Sequence, residues 1–406
     1  MENTDVIIVG AGPSGLALAI ALASRKIKSI VLEKNYEICT DPRAIAMAGD
    51  SQRIVNLLGV NRSLMEEIGQ VMTCIHFHQN TFTSKPFASI EHERDWLEQT
   101  LPPGFVLLQP ELEKKFRRSI QASEYAELRL NCTVTGIREV DGGVQATYQR
   151  EDGETIDIHG KHLVGADGKR GYVRKGYLEA KGIKQLPGLY QYDAAWIAAN
   201  LRITLPTPTS HPSFPPWKLG YQPEELWDIF WPGGFHDGHR GVDSGFFLEK
   251  EGGGVKTAQV CLNTITGVTQ LSDEVIWKQS GVLTLLLLRH PDKEEAVGIK
   301  EILDEAGLPP YLLSEDIIEL CEGTFNDGTE LLSHLETNKF FLGTEEDTVR
   351  IMAQPLMPHY NPSAFRDRFQ PATRYALIRP DLIVFSQARS PKQLGLQLNA
   401  ALNMLT

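Results

Sequence analysis

The sequence predicts an α/β fold that opens on a Rossmann-like unit, and three observations carry that prediction. Residues 5–9 are a short apolar run, and the run breaks into Gly10-x-Gly12-x-x-Gly15. A second apolar run, Lys28–Glu33, ends in an acid eighteen residues beyond Gly15. A buried strand, a glycine turn, a helix and a second strand closed by a carboxylate form a dinucleotide-binding βαβ unit.

Each part has its own physical reason. Asp5–Val9 is a short run, apolar from Val6 onward, as a central parallel strand requires. Leu16–Ala23 alternates leucine, isoleucine and alanine, strong helix formers too apolar for a surface helix. Gly10 permits the tight turn, Gly12 lets the backbone approach a pyrophosphate, and Gly15 lets the helix pack on the strand. The helix starting near Ser14 turns its unpaired N–H groups toward the phosphates. Glu33 sets a carboxylate at the ribose hydroxyls and disfavours a 2′-phosphate.

Further along, Asp41–Met47 is a turn leading to a helix around Asp50–Leu58. Arg43 in that turn is either a phosphate contact or an ordinary surface arginine. Cys74–His78 alternates like a strand and puts His76 and His78 on one face, but nothing nearby supplies a third metal ligand, so no metal is expected. Gln109-Pro110-Glu111 opens a helix, with proline at a tolerated first-turn position. Strands are expected at Leu128–Gly136, Val144–Tyr148 and Ile156–His159, the first two joined by the Asp141-Gly142-Gly143 turn. An apolar strand ending at Gly165 then meets an Asp167-Gly168 turn and a basic helix start, a place to hold a ribose or pyrophosphate.

The middle of the chain changes character. Pro206, Pro208, Pro212, Pro215 and Pro216 fall close together, and Trp217, Tyr221, Trp227, Phe230, Trp231 and Phe235 follow. This reads as a separate cap whose aromatics either line an apolar pocket or form the cap's own core.

Composition bounds the function. At 406 residues the chain has room for about two to three domains. A net charge of −12 argues against nucleic acid or an anionic membrane surface as the main partner. The densest basic run, Lys114-Lys115-x-Arg117-Arg118, reads as a solvated helix face. Cys39, Cys74, Cys132, Cys261 and Cys321 are odd in number and dispersed, so neither a disulfide framework nor a zinc motif is expected. The first strand begins within five residues of Met1, so no secretory leader is expected, and Gly15–Ala23 and Val282–Leu288 are too short to span a bilayer. A cytoplasmic protein is the expectation, with the oligomeric state open and a homodimer one option.

Taken together, the glycine fingerprint with Glu33, Arg43 in Pro-Arg-Ala-Ile, Gln109 in Leu-Gln-Pro-Glu-Leu-Glu, and Gly165-Ala-Asp167-Gly168 occur in a recognisable order. The first 320 or so residues resemble the single-component FAD-dependent aromatic hydroxylases, the class of para-hydroxybenzoate and phenol hydroxylases, and more narrowly a fungal branch similar to 3-(3-hydroxyphenyl)propionate hydroxylase. The resemblance implies a Rossmann-like FAD-binding domain with an inserted mixed-sheet substrate domain. It makes Gly10, Gly12, Ser14, Gly15, Glu33, Lys34, Arg43, Gln109, Asp167 and Gly168 the expected cofactor-binding residues. FAD would lie with its ADP part on Gly10–Gly15 and Glu33, Arg43 and Gln109 near the pyrophosphate or ribityl chain, and Asp167 on the flavin ribityl side. NADPH or NADH would supply electrons and dioxygen the oxygen atom placed on a small phenolic or polyketide-type aromatic, in secondary metabolism or aromatic catabolism. The cofactor carries the hard chemistry, so no catalytic side chain is nominated.

The pattern departs from the family at two places. The family's third flavin motif, a strand followed by Gly-Asp-Ala-Ala-His, is matched only by Lys339–Gly343, followed here by Thr344-Glu-Glu-Asp347-Thr-Val-Arg350. The closing segment around Arg374–Asp381 resembles the last strands of a thioredoxin-like C-terminal domain, with Leu382 where a glycine is usual and Leu382–Ser386 and Gln393–Leu405 without evident partners. Gly171 also replaces a serine common in the second motif. The expected division is an FAD-binding domain at 1–180, with part of the substrate sheet inserted near 72–100. A substrate or cap domain at 181–300, a degenerate return to the FAD domain at 301–350 and a truncated C-terminal remnant at 351–406 complete it. A monooxygenase-like enzyme is the leading expectation. The alternatives are a catalytically impaired flavin-fold paralogue that binds a ligand or catalyses a non-redox reaction, and, more weakly, an NAD-dependent dehydrogenase.

Overall fold

In the computed structural model the described residues are 2–40, 46–60, 67–71, 74–77, 85–91, 100, 104–185, 207, 209–213, 245–323, 335–352, 356 and 360–405. Arg43, His78 and the aromatic run from Trp217 to Phe235 lie outside them. The chain divides into two units, one of residues 1–47, 58–70 and 106–228, the other of 48–57, 71–105 and 229–406.

The first unit is built on β1 (Glu2–Val9), whose last four residues are buried. A strand buried on both faces must be apolar throughout, which is why Val6–Val9 carries no alternation. α1 (Pro13–Ser24) returns the chain to β2 (Ser29–Leu32), parallel to β1. α1 buries Leu16 and Ala19 and packs against α2 (Gln109–Gln121), an amphipathic helix that buries Leu112, Phe116 and Ile120. Beyond α2 come β3 (Ala126–Arg129), β4 (Cys132–Val140), β5 (Gly143–Arg150) and β6 (Thr155–Gly165). The sheet order is β3-β2-β1-β6-β5-β4, parallel from β3 to β6 and antiparallel beyond.

Two strand boundaries differ from the sequence expectation. The single strand expected at Leu128–Gly136 is two, because Asn131 takes φ +55° and turns the chain between β3 and β4. Asparagine is one of the few residues that occupies this region at low cost. The apolar runs around Ile156–His159 and up to Gly165 are one strand, β6. Gly160 makes that possible, since a Cβ there would stand 2.8 Å from Ile7 Cγ1 of β1.

The second unit holds a seven-stranded sheet. Its strands are β7 (Cys261–Thr264), β8 (Thr269–Leu271), β9 (Thr284–Leu287), β10 (Ile318–Leu320), β11 (Asn338–Leu342), β12 (Tyr375–Ile378) and β13 (Val384–Ala388), in the order β8-β7-β11-β10-β9-β12-β13. α3 (Lys293–Glu305) links β9 to the parallel β10 and starts with a capping box, Asp292 accepting from the Glu295 N–H. α4 (Pro391–Leu405) closes the chain. Leu283, Leu285, Leu287, Leu377, Leu394 and Leu398 are fully buried in one cluster that joins the sheet to both helices.

This sheet corrects three expectations. The strand expected at Lys339–Gly343 exists as β11, but it pairs with β7 and β10 in the second sheet. The described residues of 301–350 belong to the second unit. The closing segment is not a remnant without partners: β12 pairs with β9, β13 pairs with β12, and α4 packs on α3 and β13. Alternating runs declare strands, but the partner of each is chosen by contacts far along the chain.

The helix Gly49–Leu57, expected inside the first domain, also belongs to the second unit. Arg53, 1% exposed, donates from Nε and Nη2 to the two carboxylate oxygens of Asp273 at 2.8 and 2.6 Å and from Nη1 to the Thr257 carbonyl at 2.8 Å. Gln259 Nε2 donates to the same carboxylate at 2.7 Å. A buried pair is tolerated only when its remaining donors and acceptors are satisfied in this way, and removing one partner typically costs about 3–5 kcal/mol.

Leu382 adopts φ +70° in the turn before β13 and is fully buried. The left-handed conformation costs a non-glycine residue about 1–2 kcal/mol, while burying a leucine side chain returns about 1.5–3 kcal/mol. Burial wins, and leucine is kept where glycine would relieve the backbone. Leu382→Ala keeps the strain and loses the packing, so it is expected to destabilise the protein more than Leu382→Gly, the reverse of the usual order. Urea denaturation of the two variants checks this.

Candidate cofactor-binding site

A cavity of about 730 Å³ lies within the first unit, where the loops after β1, β2 and β6 meet the start of α2. The three fingerprint glycines serve it differently. Gly10 has φ +105°, and a Cβ there would overlap the Ala166 carbonyl and stand 2.8 Å from Asp167 Cα. A Cβ on Gly15 would overlap the Gly10 carbonyl oxygen. Gly12 meets nothing within 4 Å, so its missing side chain leaves open space along the cavity wall. Two glycines are required by packing, and the third keeps the backbone uncovered.

α1 begins at this wall. Its N-cap is Gly12 and its first residue Pro13, so no side chain caps the helix. The N–H groups of its first turn are left to whatever occupies the cavity, and the helix dipole favours a negative charge there. Ser14 is exposed on the same turn.

Glu33 ties this loop to β2. Its Oε2 accepts the Ala11 N–H at 2.8 Å and its Oε1 the Asn35 N–H at 2.9 Å. Each charge-assisted bond of this kind is worth about 1.5–3 kcal/mol, enough to hold the loop in shape with the cavity empty of ligand. A carboxylate oxygen has two acceptor sites, so both oxygens keep capacity for ribose hydroxyls. Lys34 is exposed at the rim.

Gln109 is half-buried at the start of α2 and donates from Nε2 to Glu113 Oε1 at 2.7 Å. Glu113 is 6% exposed, and Arg117 donates from Nη1 to the Tyr36 carbonyl at 3.0 Å. Residues 109, 113 and 117 share one helix face at i, i+4 spacing, and that face lines the cavity. This corrects the reading of Arg117 as part of a solvated basic face. Lys114 and Arg118 are exposed and fit that reading, Lys114 pairing with Glu111, whereas Lys115 is half-buried and pairs with Glu67. Glu113 and Arg117 went unnoticed in the sequence, although their spacing from Gln109 was the available signal.

Across the cavity, β6 runs into Asp167-Gly168, with Gly168 at φ +82°. Asp167 Oδ2 accepts the Val173 N–H at 2.9 Å, at the start of a π-helix over Val173–Leu178. Arg170 and Lys175 of this segment line the cavity. The four cations Lys34, Arg117, Arg170 and Lys175 face the four carboxylates Glu33, Glu37, Glu113 and Asp167. Charges of the two signs balance, so preference for an anion rests on the helix end and the exposed loop backbone rather than on net charge. Cys132 forms part of the floor. Burial pushes its thiol up, which disfavours the thiolate.

His76 is exposed and shares a hydrogen bond with Ser89 Oγ at 2.9 Å. Among the described residues no group of three or more His, Cys, Asp or Glu is arranged to hold a metal, and no helix is long and apolar enough to cross a membrane. Asp347, in the segment matched to the third flavin motif, is engaged within the second unit, accepting from Asn263 Nδ2 at 2.8 Å and the Thr344 N–H at 2.9 Å.

Comparison with known proteins agrees with this geometry. A family described as FAD binding domain matches residues 3–214. The 3-(3-hydroxy-phenyl)propionate/3-hydroxycinnamic acid hydroxylase of Comamonas testosteroni is 30% identical over 175 residues, 43% of this chain and 29% of that enzyme. A hydroxylase of the same name from Burkholderia vietnamiensis is 29% identical over 173 residues, 43% of this chain and 27% of its own length. The similarity thus spans under a third of these relatives. The flavin-dependent monooxygenase PieE, solved in complex with FAD and substrate, superposes with a TM-score of 0.61 over 99% of both chains at 13% identity. That likeness concerns the fold alone.

The glycine geometry gives a test. Gly12→Val is expected to leave thermal unfolding of the cofactor-free protein essentially unchanged and to weaken FAD binding at least about tenfold, a loss near 1.4 kcal/mol. Gly10→Ala is expected to lower the unfolding temperature itself, because both its φ and its contact with Ala166 are violated. Calorimetry with and without FAD separates the two behaviours.

Proposed function

Since the chain belongs to the FAD-binding-domain family, we propose that it is an FAD-dependent monooxygenase of the aromatic hydroxylase type. The observation that carries this reading is the preformed cradle, in which an uncapped α1, an open Gly12 and Glu33 face one cavity with Asp167 opposite. The residues fit the cofactor. Gly12 and Ser14 would take the pyrophosphate and Glu33 the adenosine ribose. Gln109, held by Glu113, would stand beside the pyrophosphate or ribityl chain together with Arg43, and Asp167 with Gly168 on the ribityl side. Lys34 would add a cation at the adenosine rim.

When bound, FAD supplies electron acceptance from NADPH or NADH and the activation of dioxygen. The chain's part is to bind, orient and exclude water. Glu33 ties the 10–15 loop down at the Ala11 amide, which lowers the ordering entropy lost on binding. Cys132 and Val134 give the cavity an apolar floor. The substrate is proposed to be a small phenolic or polyketide-type aromatic, by analogy with the named hydroxylase relatives.

A second reading, docking of FAD without turnover, is favoured by one observation. The segment matched to the third flavin motif, 339–347, forms β11 in the second sheet and the first turn of a helix over Glu345–Met352, and Asp347 is spent on hydrogen bonds there. The two readings separate in one experiment: the purified protein is titrated with FAD by visible absorbance, and NADPH and NADH oxidation is then followed with and without phenols. Flavin binding with phenol-stimulated oxidation supports the hydroxylase. Flavin binding without oxidation supports docking alone, and absence of any FAD affinity overturns both. Glu33→Gln should weaken FAD about tenfold or more, as loss of charge-assisted hydrogen bonds predicts, with ADP weakened in parallel.

A further inference from the structure

The loop between β6 and the π-helix is closed by two glycines that face different partners. A Cβ on Gly165 would stand 2.6 Å from Val173 Cγ1, so the Val173 side chain is seated directly on the strand end. A Cβ on Gly171 would overlap Asp167 Cγ and both carboxylate oxygens. The carboxylate of Asp167 occupies the volume that any side chain at 171 would need. Gly171 itself is buried and does not take a positive φ, so its backbone makes no demand for glycine. The three atoms nearest a Cβ there all belong to the Asp167 carboxylate. Seated there, Asp167 reaches the otherwise unsatisfied first N–H of the π-helix, at Val173, with Oδ2. Its Oδ1 makes no hydrogen bond among the described residues, and Asp167 lines the cavity.

We propose that Gly171 is a positioning residue for Asp167, fixing one carboxylate oxygen on the Val173 N–H and presenting the other to the flavin half of the cofactor. The proposal rests on the FAD reading above and adds to it a residue that acts on the cofactor through Asp167. A side chain at 171 would push the carboxylate off the helix and away from its place in the wall. The effect is confined to one end of the cavity, because the ADP end is held independently by Glu33 and the fingerprint loop.

The test uses the full chain with Gly171→Ala, Asp167→Ala and the double variant. FAD and ADP affinities are measured separately by calorimetric titration, and amide exchange at Val173 is measured in the cofactor-free protein. Gly171→Ala is expected to weaken FAD about tenfold, the scale of one lost charge-assisted hydrogen bond, to leave ADP binding within about twofold, and to speed exchange at Val173 as much as Asp167→Ala does. The double variant is expected to be no weaker than either single one, since both remove the same seated carboxylate. ADP binding doubles as the control for folding. Unchanged FAD affinity with unchanged Val173 exchange, additive losses in the double variant, or a parallel fall in ADP affinity would each overturn the proposal. If the wild-type chain binds neither ligand, the FAD reading fails and the cofactor role of Gly171 with it. Exchange at Val173 then still decides whether Gly171 seats the carboxylate.

Discussion

The first unit depends on the close approach of the Gly10 backbone to the Ala166–Asp167 peptide. β1 and β6 are parallel neighbours, and their ladder continues one step into the loops through the Ala166 N–H, which donates to the Val9 carbonyl at 2.7 Å. Only a residue without Cβ lets the two loops come this near. From that contact the rest follows. α1 starts where its amides face the cavity, and Asp167 is carried to the opposite wall. Glu33, at the end of β2, is brought within reach of the Ala11 N–H. A larger residue at position 10 would part the loops and dismantle all three arrangements together.

The second unit rests on a different kind of constraint, a buried and fully satisfied polar cluster. Arg53, Asp273, Gln259 and the Thr257 carbonyl satisfy one another inside an apolar interior, and Gln259 also accepts from Thr100. Such a cluster contributes modestly to net stability but tolerates few alternatives, since any displaced member leaves a charge or polar group unpaired. It gathers residues near positions 53, 100 and 257–273, which the order of the chain keeps far apart.

Local rules carried the sequence reading as far as local rules reach. The first strand, the glycine turn and the helix beginning at Pro13 were visible because their causes lie within a few residues. The helix at Gln109 was visible for the same reason, yet its inward face was not, since Arg117 was read with its charged neighbours instead of with Glu113 and Gln109, four and eight residues back. Strand identity survived where strand partnership did not: β11 was expected in the first sheet and pairs in the second, because period-two alternation says nothing about which edge a strand will join. The helix at 49–57 was assigned by position and is held elsewhere by Arg53, through a contact 220 residues away in sequence. Leu382, noted as an unusual residue for its turn, is explained by the core it fills. The expected cap aromatics and Arg43 lie outside the described residues.

The central claim is that the cradle formed by the 10–15 loop, Glu33 and Asp167 receives FAD with its ADP half on the first side and its flavin half toward the second. A crystal structure of the chain grown with FAD, at a resolution that places the ribose hydroxyls, tests it most directly. The account predicts the pyrophosphate over Gly12 and Ser14, the adenosine ribose on Glu33 with the Ala11 hydrogen bond retained, and the ribityl chain beside Asp167. FAD bound elsewhere, or lying in the cavity in the opposite sense with its flavin on Glu33, would contradict it.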